Sequence, residues 1–298
     1  MPYMSLFIQS LINGLNQGAI YALVALGYSM VYGIIRMINF AHGDFIMVGA
    51  YTLFYTIPLM VSMGMPAWLS VIIAILVCVI IGVAVEVIAY KPVRGAGSMS
   101  ALITALAMSL FLENLALVLF GANPKAVPEI FSMPILNIAG IILPSKYIVT
   151  LIIGIVMMSG LAFFVKYTTL GQAMRAVPED KQASTLVGIN VNKIITVTFA
   201  IGSGLAAVAS LMYCSTYPRC TTDMGSMLGL KAFIAAVLGG IGSIPGAMVG
   251  GIIVGLLEIF VKVYIAPGWY EAITYGILIV VLLVKPAGLL GKNVGEKV

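Results

Sequence analysis

Long uncharged apolar runs separated by short polar breaks fill almost the whole chain. Each run is measured against the roughly 20 residues that a helix needs to cross a bilayer core. From Leu11 to Ile35 an apolar segment is punctured by Asn13, Gly14, Asn16, Gln17, Gly18, Gly27 and Gly33, and it stops at Arg36. Its GLNQG stretch puts two glycines four apart, a face on which a neighbouring helix packs closely. INFAHGDF, Ile38 to Phe45, interrupts the pattern, a second run continues to about Met63, and GMP at Gly64 to Pro66 is a turn. Ala67 to Tyr90 is 24 residues with one charge, Glu86, and KPVRGAGS ends it with Pro, Gly and two basic residues. Met99 to Gly121 is a further span with Glu113 and Asn114 inside it. Ala122 to Lys146 is a proline-rich loop whose alternation at Ile135 to Ile142 fits a small hairpin or a surface helix. Tyr147 to Val165 has 19 uncharged residues, about 28 Å as a helix and enough to cross.

A polar island follows, Leu170 to Lys193, reading LGQAMRAVPEDKQASTLVGINVNK, with five charged residues among the nineteen from Arg175 to Lys193. Such a segment belongs in water beside a membrane. Pro178 suits the first position of a helix, and Glu179 and Asp180 suit the positive end of its dipole. The pattern predicts a short helix from Glu179 to about Val187 with Gly188 as its stop. The same residues also fit an ordinary solvated loop. Ile194 to Tyr213 then crosses back, and Cys214 to Ser226 is a polar loop holding Pro218, Arg219 and Asp223. Leu228 to Val263 is one apolar stretch broken at GGIGSIPG, Gly239 to Gly246. Tyr270 to Val284 is the last span, and KPAGLLGKNVGEKV is a basic tail.

Composition turns these runs into a class. The chain has 298 residues, 62% hydrophobic and 8% charged, with a mean hydropathy of +1.15, whereas soluble domains carry about 25% charged residues. The expectation is an all-α, polytopic integral membrane protein of about eight spans. Residues 1–298 form one transmembrane domain, and 170–193 is a segment within it. The net charge of +5 comes from fifteen basic residues scattered among loops, with no dense patch for nucleic acid. They act as topology signals. Placing Arg36, Lys91, Arg94, Lys166, Arg175, Lys181, Lys193, Lys285, Lys292 and Lys297 on one side leaves Lys125, Lys146, Arg219, Lys231 and Lys262 elsewhere, so the island is cytoplasmic. One crossing by Leu228 to Val263 would strand the basic tail outside; two would leave Leu228 to Leu238 too short to span. One piece is therefore expected to be a half-helix or re-entrant element, of the kind allowed where protein or a cavity lines it.

YGIIRMINFAHGDFIMVGAY in the first half and AVLGGIGSIPGAMVGGIIVG in the second both place a break before a glycine-spaced helix. Interrupted helices in two halves of a chain point to a transport pathway. The first residues, MPYMSLFIQS, lack the positive n-region of a cleaved signal, so the first span is expected to remain as an anchor.

Candidate chemistry is sparse. One histidine and three cysteines, Cys78, Cys214 and Cys220, exclude a multi-histidine metal site and a disulfide framework; only proximity supports pairing of Cys214 with Cys220. No phosphate-binding Walker sequence is present, and GSGLAA at Gly202 to Ala207 lies in a span and reads as helix packing. His42 and Asp44 are ionisable groups near the membrane. Without a second His or a local Ser or Cys partner, capping and turn roles for Asn39, Gly43 and Asp44 beside a pathway are favoured over catalysis. Glu86, one turn from Lys91, is expected to reach the interface, and Glu258 with Lys262 is an i, i+4 pair. Glu113 has no evident partner. Gly246, Gly250, Gly251 and Gly255 are read as packing glycines.

With these residues in place, GLNQGAIYALVALGYSMVYGIIRMINFAHGDFIMVGAY, KPVRG, GQAMRAVPEDKQASTLVGINVNK and KAFIAAVLGGIGSIPGAMVGG resemble the LivH-type permease subunits of bacterial branched-chain amino acid ABC importers. The resemblance covers nearly the whole chain. It implies a multi-pass protein of the bacterial inner membrane and a heterodimer with a second, LivM-like permease. It also implies two cytoplasmic ATPase subunits, LivG-like and LivF-like, and an extracytoplasmic solute-binding protein. Such a chain is a transport subunit and not an enzyme: it binds no cofactor, and ATP is used by its partners. QASTLVG resembles the EAAxxxG coupling motif, with Gln182 in place of its Glu while Ala183 and Gly188 match. Arg175, Glu179, Asp180, Gln182, Ala183, Gly188 and Asn190 are then the expected ATPase-coupling residues. Asn39, Phe40, His42, Gly43, Asp44, Gly239, Gly240, Gly242, Pro245 and Gly246 are expected beside the pathway. A permease for urea or short amides would share these motifs. A proton-coupled transporter, with Glu113 or Asp44 as carrier, belongs to another class.

Overall fold

The computed structural model describes residues 2–130, 134–138 and 141–291. Helix α1 (Pro2–Ile35) begins nine residues before the pattern placed it, because SLFIQS continues the apolar run. After it comes a 3₁₀ turn, Phe40–His42, and then α2 (Asp44–Ser62). Helix α3 (Leu69–Val85) passes through a π-turn, Glu86–Tyr90, into a final turn, α4 (Lys91–Val93). Then come α5 (Ser98–Phe120), α6 (Ser145–Tyr167), α7 (Thr169–Ala176), α8 (Lys181–Leu186) and α9 (Val191–Thr216). The last three are α10 (Met224–Gly239), α11 (Ile244–Tyr264) and α12 (Tyr270–Val284).

The alternating segment after α5 is a hairpin, with β2 (Ile135–Ile138) antiparallel to β3 (Ile141–Pro144). Nearby, β1 (Lys125–Ala126) pairs with β4 (Arg219–Cys220) and clips this loop to the one after α9. Cys78, Cys214 and Cys220 are all free thiols.

Among the described residues seven helical stretches are long and apolar enough to cross a membrane, and α10 with 16 residues and α12 with 15 are shorter. The expected count of about eight falls between seven and the nine obtained by adding these two. Of the two pieces on either side of the glycine break, α10 is the shorter, with 16 residues against 21 in α11. When α10, α11 and α12 each traverse, Lys285 returns to the side of the island and the parity conflict disappears. Lys292 and Lys297 lie outside the described residues.

Helix α1 is the axis of the bundle. It is apolar on every side and punctured by small and amide residues, the pattern of a helix enclosed by others. The GLNQG face does what its spacing predicted. Gly14 and Gly18 meet Leu256, Gly255 and Ile252 of the antiparallel α11, Ala22 meets Gly251, and Gly33 meets Gly242. Gly202 likewise packs, lying against Gly27 and the edge of His42.

Two acids were placed wrongly or incompletely by sequence. Glu86 does not reach the interface beside Lys91. It is fully buried, ion-paired with Arg94, and its Oε2 accepts from the Thr196 hydroxyl of α9 at 2.8 Å. Helix phase explains this: the π-turn rotates Glu86 inward and brings Arg94, two turns on, back over it. Glu258 does pair with Lys262. It also accepts from Lys231 of α10 at 3.1 Å and from the Tyr21 hydroxyl at 2.6 Å, partners too distant in sequence to foresee.

Candidate functional site

The island folds as two helices, where one was expected. Thr168 caps α7 by accepting from the Gly171 amide at 3.0 Å, an arrangement its Thr-Thr-Leu-Gly sequence allows. The second helix begins at Lys181 and not at Glu179, because Asp180 is its cap: one carboxylate oxygen accepts from the amides of Gln182 and Ala183 at 2.8 and 2.9 Å. Pro178 and Glu179 therefore lie in the turn between the helices. Gly188, at φ +86°, ends α8 in the left-handed region that glycine enters freely. Asn190 then caps α9 by accepting from the Lys193 amide at 3.0 Å.

Along α8 only Ser184 is buried, so Gln182 and Ala183 face outward. Arg175 does not project freely, since its guanidinium donates to the Lys166 carbonyl at the end of α6 at 3.1 Å. Sequence reasoning missed Leu186 and Val187, which stand 88% and 76% exposed at the end of α8. The signal was there: an apolar pair inside a segment otherwise selected for water. An open hollow of about 330 Å³, lined by Ile34, Arg36 and Pro178 through Gln182, lies at the start of α8.

Arg36 joins the island to the first helix break. It sits at φ +58°, strained for a residue with a side chain, and its guanidinium donates to the Pro178 carbonyl at 3.3 Å. The break then runs inward. Asn39 makes no side-chain cap, contrary to the expected role. Its Oδ1 instead accepts from the Tyr90 hydroxyl at 2.7 Å, tying the break to the end of α3. Phe40 packs tilted at 5.6 Å from Phe233 of α10, and the His42 ring stands edge-on to Tyr28 and Phe45 at 4.9 and 5.7 Å. His42 is buried with Gly27 and Gly202 against it.

Gly43 lets α10 approach: a side chain there would overlap the carbonyl of Gly225 and the Cα of Gly229. Asp44 opens α2 fully buried, with neither carboxylate oxygen in a well-formed hydrogen bond.

The second break is of another kind. Gly239 and Gly246 are helical, and only Gly240 to Ser243 leave the helix. Ser243 caps α11 by accepting from the Gly246 amide at 3.2 Å, with Pro245 in the first turn. Gly242 and Pro245 are exposed, so this is a surface turn beside Gly33. The C-terminal segment closes over it, with the amides of Leu289 and Leu290 donating to the carbonyls of Leu238 and Gly239. Gly240, at φ +111°, also touches the backbone of Gly291. Gly240→Ala is expected to cost about 1–3 kcal/mol from backbone strain alone, read as a lower apparent melting temperature in detergent.

The two breaks thus do not meet at one point. They lie at opposite ends of α10, whose N-terminal half packs on Gly43 and whose C-terminus makes the surface turn.

A family model described as "Branched-chain amino acid transport system / permease component" matches residues 10–283. The "High-affinity branched-chain amino acid transport system permease protein BraD" of Pseudomonas aeruginosa is 40% identical over the whole of both chains. The LivH protein of the same description in Escherichia coli is 40% identical over 98% of each chain.

Proposed function

The chain belongs to the branched-chain amino acid transport permease family, and on that premise we propose that it forms one half of the translocation pathway of an ATP-driven importer for branched-chain amino acids. It is a multi-pass protein of the bacterial plasma membrane and a transport subunit without chemistry of its own. In this reading its membrane partner is a second, LivM-like permease. Two cytoplasmic ATPases, LivG-like and LivF-like, supply the energy, and an extracytoplasmic binding protein delivers the solute.

The observation that carries the coupling role is α8: a capped helix, exposed on every side but Ser184, that ends in Leu186 and Val187. Exposed apolar side chains of this size are suited to a groove on a soluble partner. In this reading the hydrogen bond from Arg36 to the Pro178 carbonyl links the turn before α8 to the break at Asn39–Asp44.

The test is leucine uptake into proteoliposomes holding both permeases, both ATPases and the binding protein. ATP-dependent accumulation of leucine supports the reading. Accumulation of urea in place of leucine, or leucine uptake without any ATPase, would overturn it. For the docking surface, Leu186→Asp with Val187→Asp is expected to cut co-purification of the ATPases at least about tenfold, as loss of a buried apolar anchor does. The amount of permease in the membrane should not change, because both residues are exposed in the isolated chain.

A further inference from the structure

Helix α5 stands at the edge of the bundle. It packs on the 3₁₀ turn Phe40–His42 and on the π-turn Glu86–Tyr90, and it buries one narrow stripe, Ala101, Ala105, Ser109, Leu112 and Ala116. The opposite face is open, with Ile103, Leu110, Phe111 and Val118 each more than half exposed. At about 3.6 residues per turn, Asn114 falls in the middle of that face, and Ala107, two turns earlier, lies on the same line. Both are exposed. Asn114 is six residues from the end of the helix at Phe120, which sets it about 9 Å inside a span that must cross an apolar core of about 30 Å.

A side-chain amide has two N–H donors and a carbonyl acceptor. One donor of Asn114 is used within the helix, on the Leu110 carbonyl at 2.7 Å, and the side chain forms no other hydrogen bond among the described residues. Hydrocarbon chains can bond neither the second donor nor the amide oxygen, so lipid is a poor cover for this spot. Glu113 borders the same face, with Oε1 buried and without a hydrogen bond. Other outward faces differ. On α3 the outward side chains Ile72, Leu76 and Ile80 are aliphatic, as contact with lipid requires. On α6 the exposed Ser159 has only a hydroxyl, which can turn back onto the carbonyl of its own preceding turn. The α5 face needs a cover that is apolar at its flanks and polar at its centre, and a helix of another membrane protein supplies both.

We propose that the outward face of α5, from Ile103 to Val118 and centred on Asn114, is the surface on which the second permease packs. The facing helix brings a polar side chain to Asn114 and approaches closely at Ala107, where a small residue leaves room for it. This rests on the heterodimer proposed above and locates it on this chain. Because α5 also lies on the Phe40–His42 turn, the contact sets the first helix break beside the boundary between the two permeases, where the solute would pass.

The experiment places a benzophenone side chain singly at Val118 of α5, Ile80 of α3 or Phe163 of α6, all exposed, in membranes holding both permeases and both ATPases. Irradiation should join Val118 to the second permease and leave Ile80 and Phe163 without that adduct. An adduct from Val118 to lipid alone, or to a second copy of this chain, would overturn the proposal, as would one to the second permease from Ile80 or Phe163 and not from Val118. The amide is tested separately. Asn114→Leu should weaken binding of the full-length second permease in detergent about three- to twentyfold, the range for one hydrogen bond between membrane helices. Asn114→Gln, which keeps the amide, should lose less. The amount of Asn114→Leu in the membrane should match wild type, because Asn114 bonds only its own helix in the isolated chain. Unchanged binding by Asn114→Leu would also overturn the proposal. If the wild-type chain binds no second permease at all, the functional reading itself fails, a result distinct from these.

Discussion

An Arg94→Ala variant is expected to lose about 3–5 kcal/mol of stability, the usual cost of stranding one member of a buried ion pair. Glu86 is completely buried at the π-turn, and its partners are the Arg94 guanidinium and the Thr196 hydroxyl. Arg94 also donates to Asn192 Oδ1 at 2.7 Å, so one side chain ties the last turn after α3 to the start of α9, at the end of the polar island. Removing it leaves a carboxylate in an apolar setting with one neutral donor. The change is read as a fall in apparent melting temperature in detergent and as less folded protein in the membrane. Glu86→Leu combined with Arg94→Leu should be much milder than Arg94→Ala alone, because no charge is then left uncompensated. Equal losses in both would mean that the side chains act through packing and not through charge.

Gly255→Leu is expected to abolish folding of the bundle. A Cβ at Gly255 overlaps the backbone nitrogen and Cα of Gly18, and backbone at the centre of a 34-residue helix cannot step aside. Overpacking in a core typically costs about 1–3 kcal/mol for added methylenes that side-chain rotation can absorb. Here no rotation can absorb it, so the cost lies above that range. Gly160 of α6 is the control. It is exposed, nothing lies within 4 Å of an added Cβ, and it sits inside a helix. Gly160→Ala should be neutral or stabilising by up to about 1 kcal/mol, from the lower backbone entropy of alanine in a helix. Size-exclusion profiles of the two variants separate the cases: Gly160→Ala should run as a single peak and Gly255→Leu should aggregate. A monodisperse Gly255→Leu would show that α1 and α11 do not pack as described.

The membrane class, the helical runs and the family resemblance were all legible in the sequence. Each depends on composition or local spacing, and a bilayer makes those decisive: every backbone group must bond within its own segment, so apolar length alone announces a helix. The spacing of Gly14 and Gly18 even announced a packing face. What local pattern could not supply was which helix each face would meet. Lys231 reaches Glu258 across 27 residues, Tyr21 reaches it across 237, and Asn39 bonds Tyr90 across 51.

Three readings failed or fell short for that reason. Glu86 was assigned to Lys91 because the two are close in sequence, whereas a π-turn shifts the helix phase and hands it to Arg94. Asn39 looked like a cap, but its amide oxygen is taken by a phenol from another helix. The island helix was started at Pro178 and Glu179, although Asp180 alone has the extended backbone and free carboxylate that a cap requires. Glu113 had no partner in sequence, and no basic group lies within ion-pair distance of it among the described residues. Sequence determined that this chain is a membrane bundle with one watery segment and two broken helices. Tertiary packing decided which buried charges are paired, because that depends on contacts between helices far apart along the chain.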